Sequence, residues 1–268
     1  MNCRLPLLIT IPHGGIRVPP EVEARIRLTE EEVAYNSDPA TARIYDFGDS
    51  VEETIGMDVS RVFVDVNRSP FRTPPMYPDG VVKMVTADGN PVYNNGFLPD
   101  AGLIRRLLAE YYYPFHYRIR DVLLAGRVSL AIDCHSMHPE APLTSKEPGQ
   151  RRPLVCLSNG GDRMGMPKKP GGRGRLTCEP EIIQTLATSF ENHLEGRGEV
   201  AINNPFSGGF TCKFHQKLEK IPWIQLEINR DLYESMTSGT LSIDDDKVLR
   251  LNSLISSVIQ EFWENVDL

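Results

Sequence analysis

Long apolar runs are missing from this chain of 268 residues, and none approaches the roughly 20 needed to cross a bilayer. The opening MNCRLPLLITIPHGG also lacks the extended apolar core of a secretory leader, so the expected location is the cytoplasm, away from membranes. Positive charge is not in excess either. With 29 Lys and Arg against 36 Asp and Glu the formal net charge is −7, which leaves no broad field to attract a nucleic-acid backbone and favours a small molecule as partner. Cysteine is sparse: Cys3, Cys134, Cys156, Cys178 and Cys212 are odd in number and form no CxxC pair. That argues against a disulfide framework and a thiolate zinc cluster and predicts reduced thiols. Internal repeats and low-complexity tracts are also lacking. What remains is an ordinary globular composition, 40% hydrophobic and 24% charged, able to form a core without covalent staples. Residues 1–268 fit one α/β domain, and self-association is left open.

Apolar segments alternate with helical periodicity along the chain. LPLLITIP reads as a buried strand whose end opens at His13. SDPATARIYDFGDSVEETIG reads as helical, with Asp38 at or near its N-terminus. RVFVDVNRSP alternates like a strand, placing Asp65 and Asn67 on one side and Arg68 where proline stops it. The stretch from Phe71 to Pro99, dense in Pro, Gly, Asp and Asn, is expected to be a long excursion with at most a short hairpin. A helix capped by Asp100 follows, then the buried strand RVSLAIDCHSM and a short strand in PLVCLSN. The polar, glycine-rich passage around Lys168 to Gly174 is expected to be flexible. After the helix EPEIIQTLATSFENHLE, the glycines of NNPFSGGF fall within a strand or turn that lets backbone approach closely. PWIQLEINRDLY supplies the last strand signal, before a C-terminal amphipathic helix. The predicted architecture is a three-layer α/β sandwich with a mixed, mainly parallel sheet, whose ligands gather at the strands' carboxyl ends.

Polar residues stand where those strands end: His13; Asp65 with Asn67 and Arg68; Asp133 with His135; Glu227 with Asn229 and Arg230. Two histidines and a carboxylate suit one divalent metal ion, zinc foremost, and leave a coordination position for water. Strand alternation puts Asp133 on the side of His135, where its carboxylate can orient the ring. For Asp38, helix capping is an equally physical reading. Glu227, between Leu226 and Ile228, sits in an apolar setting that raises its proton affinity and suits a general base. A buried ion pair with Arg230 or Arg68 is the competing account. Arg68 can hold a carboxylate through two parallel hydrogen bonds. A thiol mechanism at Cys134 is disfavoured because alternation turns it away from His135. A binding module without turnover stays open.

IPHGG, SDPATARIYDF, DVNRSP, the YYYPFHYRI helix, DCHSM, LSNGG, NNPFSGGF and QLEINRDLY occur in an order that resembles the N-formylglutamate amidohydrolases over nearly the whole chain. The resemblance implies a phosphorylase/hydrolase-like fold and metal-dependent cleavage of a formyl amide into formate and L-glutamate; another N-acyl amino acid or small amide is the alternative substrate. It implies His13, Asp38 and His135 as metal ligands and Glu227 as general base, with Asp65 and Asp133 behind the ligands. Asn67, Arg68, His116, Asn204, Gly208, Gly209 and His215 are the residues expected around an acidic small-molecule substrate.

Overall fold

A computed structural model describes residues 4–168, 175–237 and 240–268. The first strand, β1 (Leu5–Ile11), ends in five consecutive buried residues, the signature of a strand covered on both faces. Thr29 caps the short helix α1 (Glu30–Tyr35) through a reciprocal pairing with Glu32. The next segment departs from the helical expectation. Only α2 (Thr41–Ile44) is α-helical, a 3-10 turn follows at Gly48–Ser50, and Val51–Gly56 forms an edge strand, β2, parallel to β1. Val51, Thr54 and Ile55 are β-branched and suit that edge, which the capping signal at Ser37 and Asp38 obscured.

RVFVDVNRSP is not a strand. Val62, Phe63, Val64 and Val66 are all buried, so burial does not alternate as a half-buried strand requires. The backbone instead turns on itself: Phe63 and Val64 donate to the carbonyl of Ser60, Arg68 donates to that of Asp65, and Ser60 Oγ accepts from Val62. A side-chain-stabilised turn and packing on all sides override β propensity here. The excursion that follows is irregular, with one antiparallel bridge inside it, between Val85 and Pro91, and another from Tyr93 back to Ile26.

Asp100 caps α3 (Ala101–Leu107), its carboxylate accepting from Leu103 N at 2.7 Å. A single π turn at Leu108–Tyr112 joins α3 to α4 (Tyr113–Leu124). Pro114 has no N–H and its ring opposes the carbonyl four residues back, so the widened turn accommodates it within a continuous helix. The central strand β3 (Leu130–Met137) is buried throughout, followed by β4 (Val155–Ser158), helix α5 (Pro180–Leu194) and β5 (Val200–Ile202). Helix α6 (Phe210–Glu219) begins where the double glycine had suggested only a strand or turn. Strand β6 (Trp223–Asn229) is not the last strand: a small hairpin, β7 (Glu234–Thr237) with β8 (Thr240–Ile243), precedes the C-terminal helix α7 (Asp245–Asn265). The glycine-rich passage expected to be flexible lies, beyond Lys168, outside the described residues.

Six strands form one mixed sheet in the order β2-β1-β3-β6-β4-β5. β2, β1, β3 and β6 run parallel, while β4 is antiparallel to β6 and carries β5 alongside it. Alternation along β1 sends Leu7, Ile9 and Ile11 into a core with Ile183 and Leu186 of α5 and Ile255 and Phe262 of α7. Leu8 goes to the opposite core with Leu107 of α3, Phe115 and Ile119 of α4, and Trp223. Helices therefore cover both faces, as the α/β sandwich predicts. The reversed strand has a consequence for function. The start of β4, not its end, lies at the rim where β1, β3 and β6 finish: Asn229 N donates to the carbonyl of Leu154, and Asn229 Nδ2 to that of Arg152.

Candidate functional site

At that rim a cavity of about 390 Å³ is lined by His13, Asp38, His135, Glu227 and a ring of cationic side chains. His13 follows β1 and His135 lies near the end of β3, adjacent strands in parallel register, so sheet geometry brings them together. Their Nδ1 atoms are 3.0 Å apart, and each lies 3.6 Å from Asp38 Oδ2. All three residues are about 98% buried.

The far side of each ring is occupied. His13 Nε2 pairs with Asp65 Oδ1 at 2.8 Å, and His135 Nε2 with Asp133 Oδ2 at 3.0 Å. Thr10 Oγ1 donates to the other oxygen of Asp133 at 2.6 Å and so fixes that carboxylate. Only a ring N–H can donate to these carboxylates, so both Nδ1 atoms face each other as lone pairs beside a carboxylate oxygen. Three lone-pair donors at one point repel unless a cation joins them. The donor set, imidazole backed by carboxylate with a third carboxylate ligand, fits a divalent metal. In a cation-free state one proton serves instead: Asp133 and Glu227 push His135 well up against burial, while burial and Arg61 pull His13 down.

Asp38 does not cap a helix. Its carbonyl accepts from Thr41 N and Oγ1 at the start of α2, which frees the carboxylate to turn inward. There Oδ2 accepts from Ser136 N at 3.1 Å and Oδ1 from Arg230 Nη2 at 3.0 Å. Against the cost of burial, the neighbouring His13, His135 and Arg230 hold its carboxyl well below the usual range. Arg230 thus pairs with Asp38 and not with Glu227.

Glu227 is the register partner of His135 on β6 and lines the cavity. Burial pushes its carboxyl up to about 7, opposed by His135. Gln225, two residues earlier on the same face, donates Nε2 to Glu227 Oε1 at 2.7 Å, while its own Oε1 accepts from Gly209 N. The backbone donor leaves Gln225 no alternative orientation, so Glu227 always receives an N–H.

Asn67, Arg68, Gly208 and Gly209 also line the cavity. Asn67 Oδ1 accepts from Thr211 N at 2.9 Å, which leaves its amide nitrogen 3.3 Å from His135 Nε2. A Cβ on Gly209 would stand 2.3–2.7 Å from the Asn67 side chain, so glycine is what admits Asn67 there. Arg68 lies on the rim, donating to Asp79 Oδ2 at 3.2 Å. His116 and His215 do not reach the cavity; they form a buried pair between α4 and α6 at 2.9 Å. His116 Nε2 donates to Val66 O at 3.0 Å, so its Nδ1 accepts from His215 Nε2 and both rings are neutral. Asn204 is likewise not among the cavity residues. Cys134 faces the α5–α7 core, and burial drives its thiol well up, away from thiolate chemistry.

Sequence reasoning overlooked Gln225, Arg61, Lys83 and Arg152. Gln225 carried a signal, since strand alternation puts it on the face of Glu227. Arg61 and Lys83 come from irregular backbone, which has no period to read. Together with His13 they surround Asp65, fully buried, at 3.1 Å and 3.2 Å respectively.

Known proteins match this arrangement over most of its length. A family model described as N-formylglutamate amidohydrolase matches residues 5–234. An N-formylglutamate deformylase of Pseudomonas aeruginosa is 30% identical over 239 residues, covering 86% of this chain and 82% of the relative. One from Pseudomonas putida is 27% identical over 252 residues, covering 87% and 84%. The crystal structure of an N-formylglutamate amidohydrolase from Ralstonia eutropha JMP134 superposes with a TM-score of 0.72 at 21% identity, covering 97% of this chain and 94% of that one, and so shares the fold. By the extent of the family match and the coverage of its relatives, this chain belongs to the N-formylglutamate amidohydrolase family.

Proposed function

We propose that this protein hydrolyses the N-acyl amide of an acidic amino acid, N-formyl-L-glutamate foremost, with one divalent ion, zinc in the first instance, held by His13, Asp38 and His135. The observation that carries the reading is the convergence of two carboxylate-backed imidazole Nδ1 atoms and a buried carboxylate oxygen beside Glu227, in one cavity. The names of the relatives supply the amide and the formyl group. When bound, the ion supplies Lewis acidity, lowering the pKa of water and polarising a carbonyl.

The remaining work falls to the chain's own side chains. Glu227 takes a proton from the attacking water and returns it to the departing amine nitrogen, so that one amide and one water give formate and a free amino acid. A carboxyl lifted to about 7 holds and releases a proton near neutrality with little cost in either direction. Gln225 keeps that carboxylate aimed into the cavity. Asp65 and Asp133 keep both Nδ1 lone pairs turned inward. Arg68, at the mouth, takes a substrate carboxylate by exchanging it for the exposed Asp79. Asn67 and the Gly208–Gly209 turn shape the cavity wall. The four thiols among the described residues, buried and unpaired, accord with the reducing cytoplasm as its setting.

Elemental analysis of the purified protein, followed by turnover of N-formyl and N-acetyl amino acids with and without chelator, tests this reading. Near-stoichiometric metal and chelator-sensitive release of formate are expected. Glu227→Gln should keep the metal and lower kcat by about 10²- to 10⁴-fold. Undiminished turnover in Glu227→Gln, or chelator-insensitive hydrolysis by metal-free protein, would remove its basis.

A further inference from the structure

Cations in this cavity come paired with carboxylates, with one exception among the described residues. Arg61 and Lys83 contact Asp65 at 3.1 Å and 3.2 Å, Arg68 contacts Asp79 at 3.2 Å, and Arg230 contacts Asp38 at 3.0 Å. Arg152 lines the same cavity, yet no carboxylate lies within ion-pair distance of it. Its Nη1 donates to the carbonyl of His138 at 3.3 Å, its guanidinium rests over the Phe206 ring at 5.0 Å, and its Nε is buried with no hydrogen-bond partner. A guanidinium presents five N–H groups in a planar fork. Leaving such a fork partly desolvated and without a counter-ion costs free energy that a bound planar anion would offset.

Placement says which anion. Arg152 lies just before β4, separated from it by Pro153 and Leu154, and stands at the rim because β4 runs antiparallel to β6. Arg68 belongs to the other side, tied through Asp65 to His13 after β1. In the strand order β1, β3, β6, β4, the groups His13, His135 and Glu227 lie between the two arginines. A ligand reaching from one arginine to the other across the reacting centre carries an anionic group at each end. We propose that Arg152 binds the side-chain carboxylate of a dicarboxylic N-acyl amino acid, while Arg68 takes the α-carboxylate. Arg152 is thereby the residue that selects a dicarboxylate over a monocarboxylate. This rests on the amidohydrolase reading for its substrate but not for its dicarboxylate site.

The test compares N-formyl-L-glutamate with N-formyl-L-glutamine, which keeps the shape and loses the side-chain charge. Wild type is expected to favour the glutamate substrate in kcat/KM by on the order of 100-fold, the scale of a charged hydrogen-bonded contact. Arg152→Met should collapse that preference, and Arg152→Lys should retain part of it, with circular dichroism confirming that both variants fold. A loss in Arg152→Met that is equal for both substrates, or no loss, overturns the assignment. Calorimetric binding of glutarate and butyrate gives an answer independent of turnover. Tighter glutarate binding that disappears in Arg152→Met supports the site, and equal binding of the two by wild type overturns it. Should wild type bind glutarate through Arg152 but hydrolyse no N-acyl amino acid, the amidohydrolase reading fails while the dicarboxylate site stands.

Discussion

Asp65→Asn removes the most heavily used charge in the molecule without changing its shape. The carboxylate is fully buried and receives His13 Nε2 at 2.8 Å, Asn67 N at 3.0 Å, Arg61 Nη2 at 3.1 Å and Lys83 Nζ at 3.2 Å. An amide leaves the partly buried Arg61 without its carboxylate partner and Lys83 with Asp79 alone, and breaking a buried pair in this way costs up to about 3–5 kcal/mol of stability. It also weakens the hold on His13, and loss of a carboxylate behind a ligating imidazole lowers metal affinity by about 10- to 100-fold. Burial works against the Asp65 carboxylate, but Arg61 and His13 hold its pKa well below the ordinary value of 3.8. The folded state therefore binds fewer protons than the unfolded chain as pH falls. The gap between wild type and variant is fully open above about pH 4 and narrows as pH drops toward the native pKa.

Urea unfolding at pH 7 and competition with a chromophoric chelator measure the two effects separately. Asp58→Asn is the control, since the Arg17–Asp58 pair is 71% exposed at the carboxylate and such pairs contribute about 0–1 kcal/mol. The double variant Asp65→Asn with Arg61→Met should be more stable than Asp65→Asn alone, because it removes the cation that Asp65 had paired. Stability and metal affinity in Asp65→Asn both indistinguishable from wild type would refute the reasoning, as would strictly additive losses in the double variant.

Other perturbations probe neighbouring parts of the molecule. Burial pulls His116 to about 4 and His215 to about 3, so both are neutral in the folded state and protonate in the unfolded chain below about 6.5. Each should remove about 1.4 kcal/mol of stability per pH unit as pH falls from 6.5 toward those values. Urea midpoints at pH 7, 6 and 5 check this, and a His215→Leu variant should show the shallower slope. Gly209→Ala drives a methyl into the Asn67 side chain, and a displacement of that size beside the reacting groups should lower kcat/KM by about 10-fold or more. Unchanged kinetics would mean that the turn yields. Cys134→Ala should cost about 1 kcal/mol of stability while turnover is kept, and loss of turnover in a folded variant would restore the thiol mechanism.

Residues carried by strands were legible in the sequence. Apolar runs ending at His13, His135 and Glu227 predicted that these side chains share a rim, and parallel register between β1, β3 and β6 delivers them there. Asp133 behind His135 followed from alternation alone. The capping residue Asp100 and the buried strand Leu130–Met137 were also foreseen. Asp38 was legible by type but not by role, because a carboxylate before a helix looks the same whether it caps the helix or turns inward. Its carbonyl, not its side chain, serves the start of α2, and only the fold reveals this. RVFVDVNRSP misled for a related reason: β-branched residues mark burial as readily as they mark strands, and Ser60 folds this segment into turns. Asp65 and Asn67 still reach the site, delivered by a turn in place of a pleat.

The direction of a strand is what sequence patterning conveys least, and here it decides the composition of the site. Val155–Ser158 is apolar and short, and nothing in its residues distinguishes a parallel neighbour from an antiparallel one. If it ran parallel to β6, Asn159 and Gly160 would lie at the rim and Arg152 at the opposite edge. Because it runs antiparallel, Asn159 is taken up in a loop, where its Nδ2 donates to the carbonyls of Gly165 and Cys178. Arg152 instead arrives over Phe206, in the cavity that Glu227 also lines. The same reversal leads β5 into the segment that returns as Phe206 to Gly209 and gives Gln225 its backbone donor. Orientation of the base and the charge proposed to choose its substrate therefore depend on one topological feature.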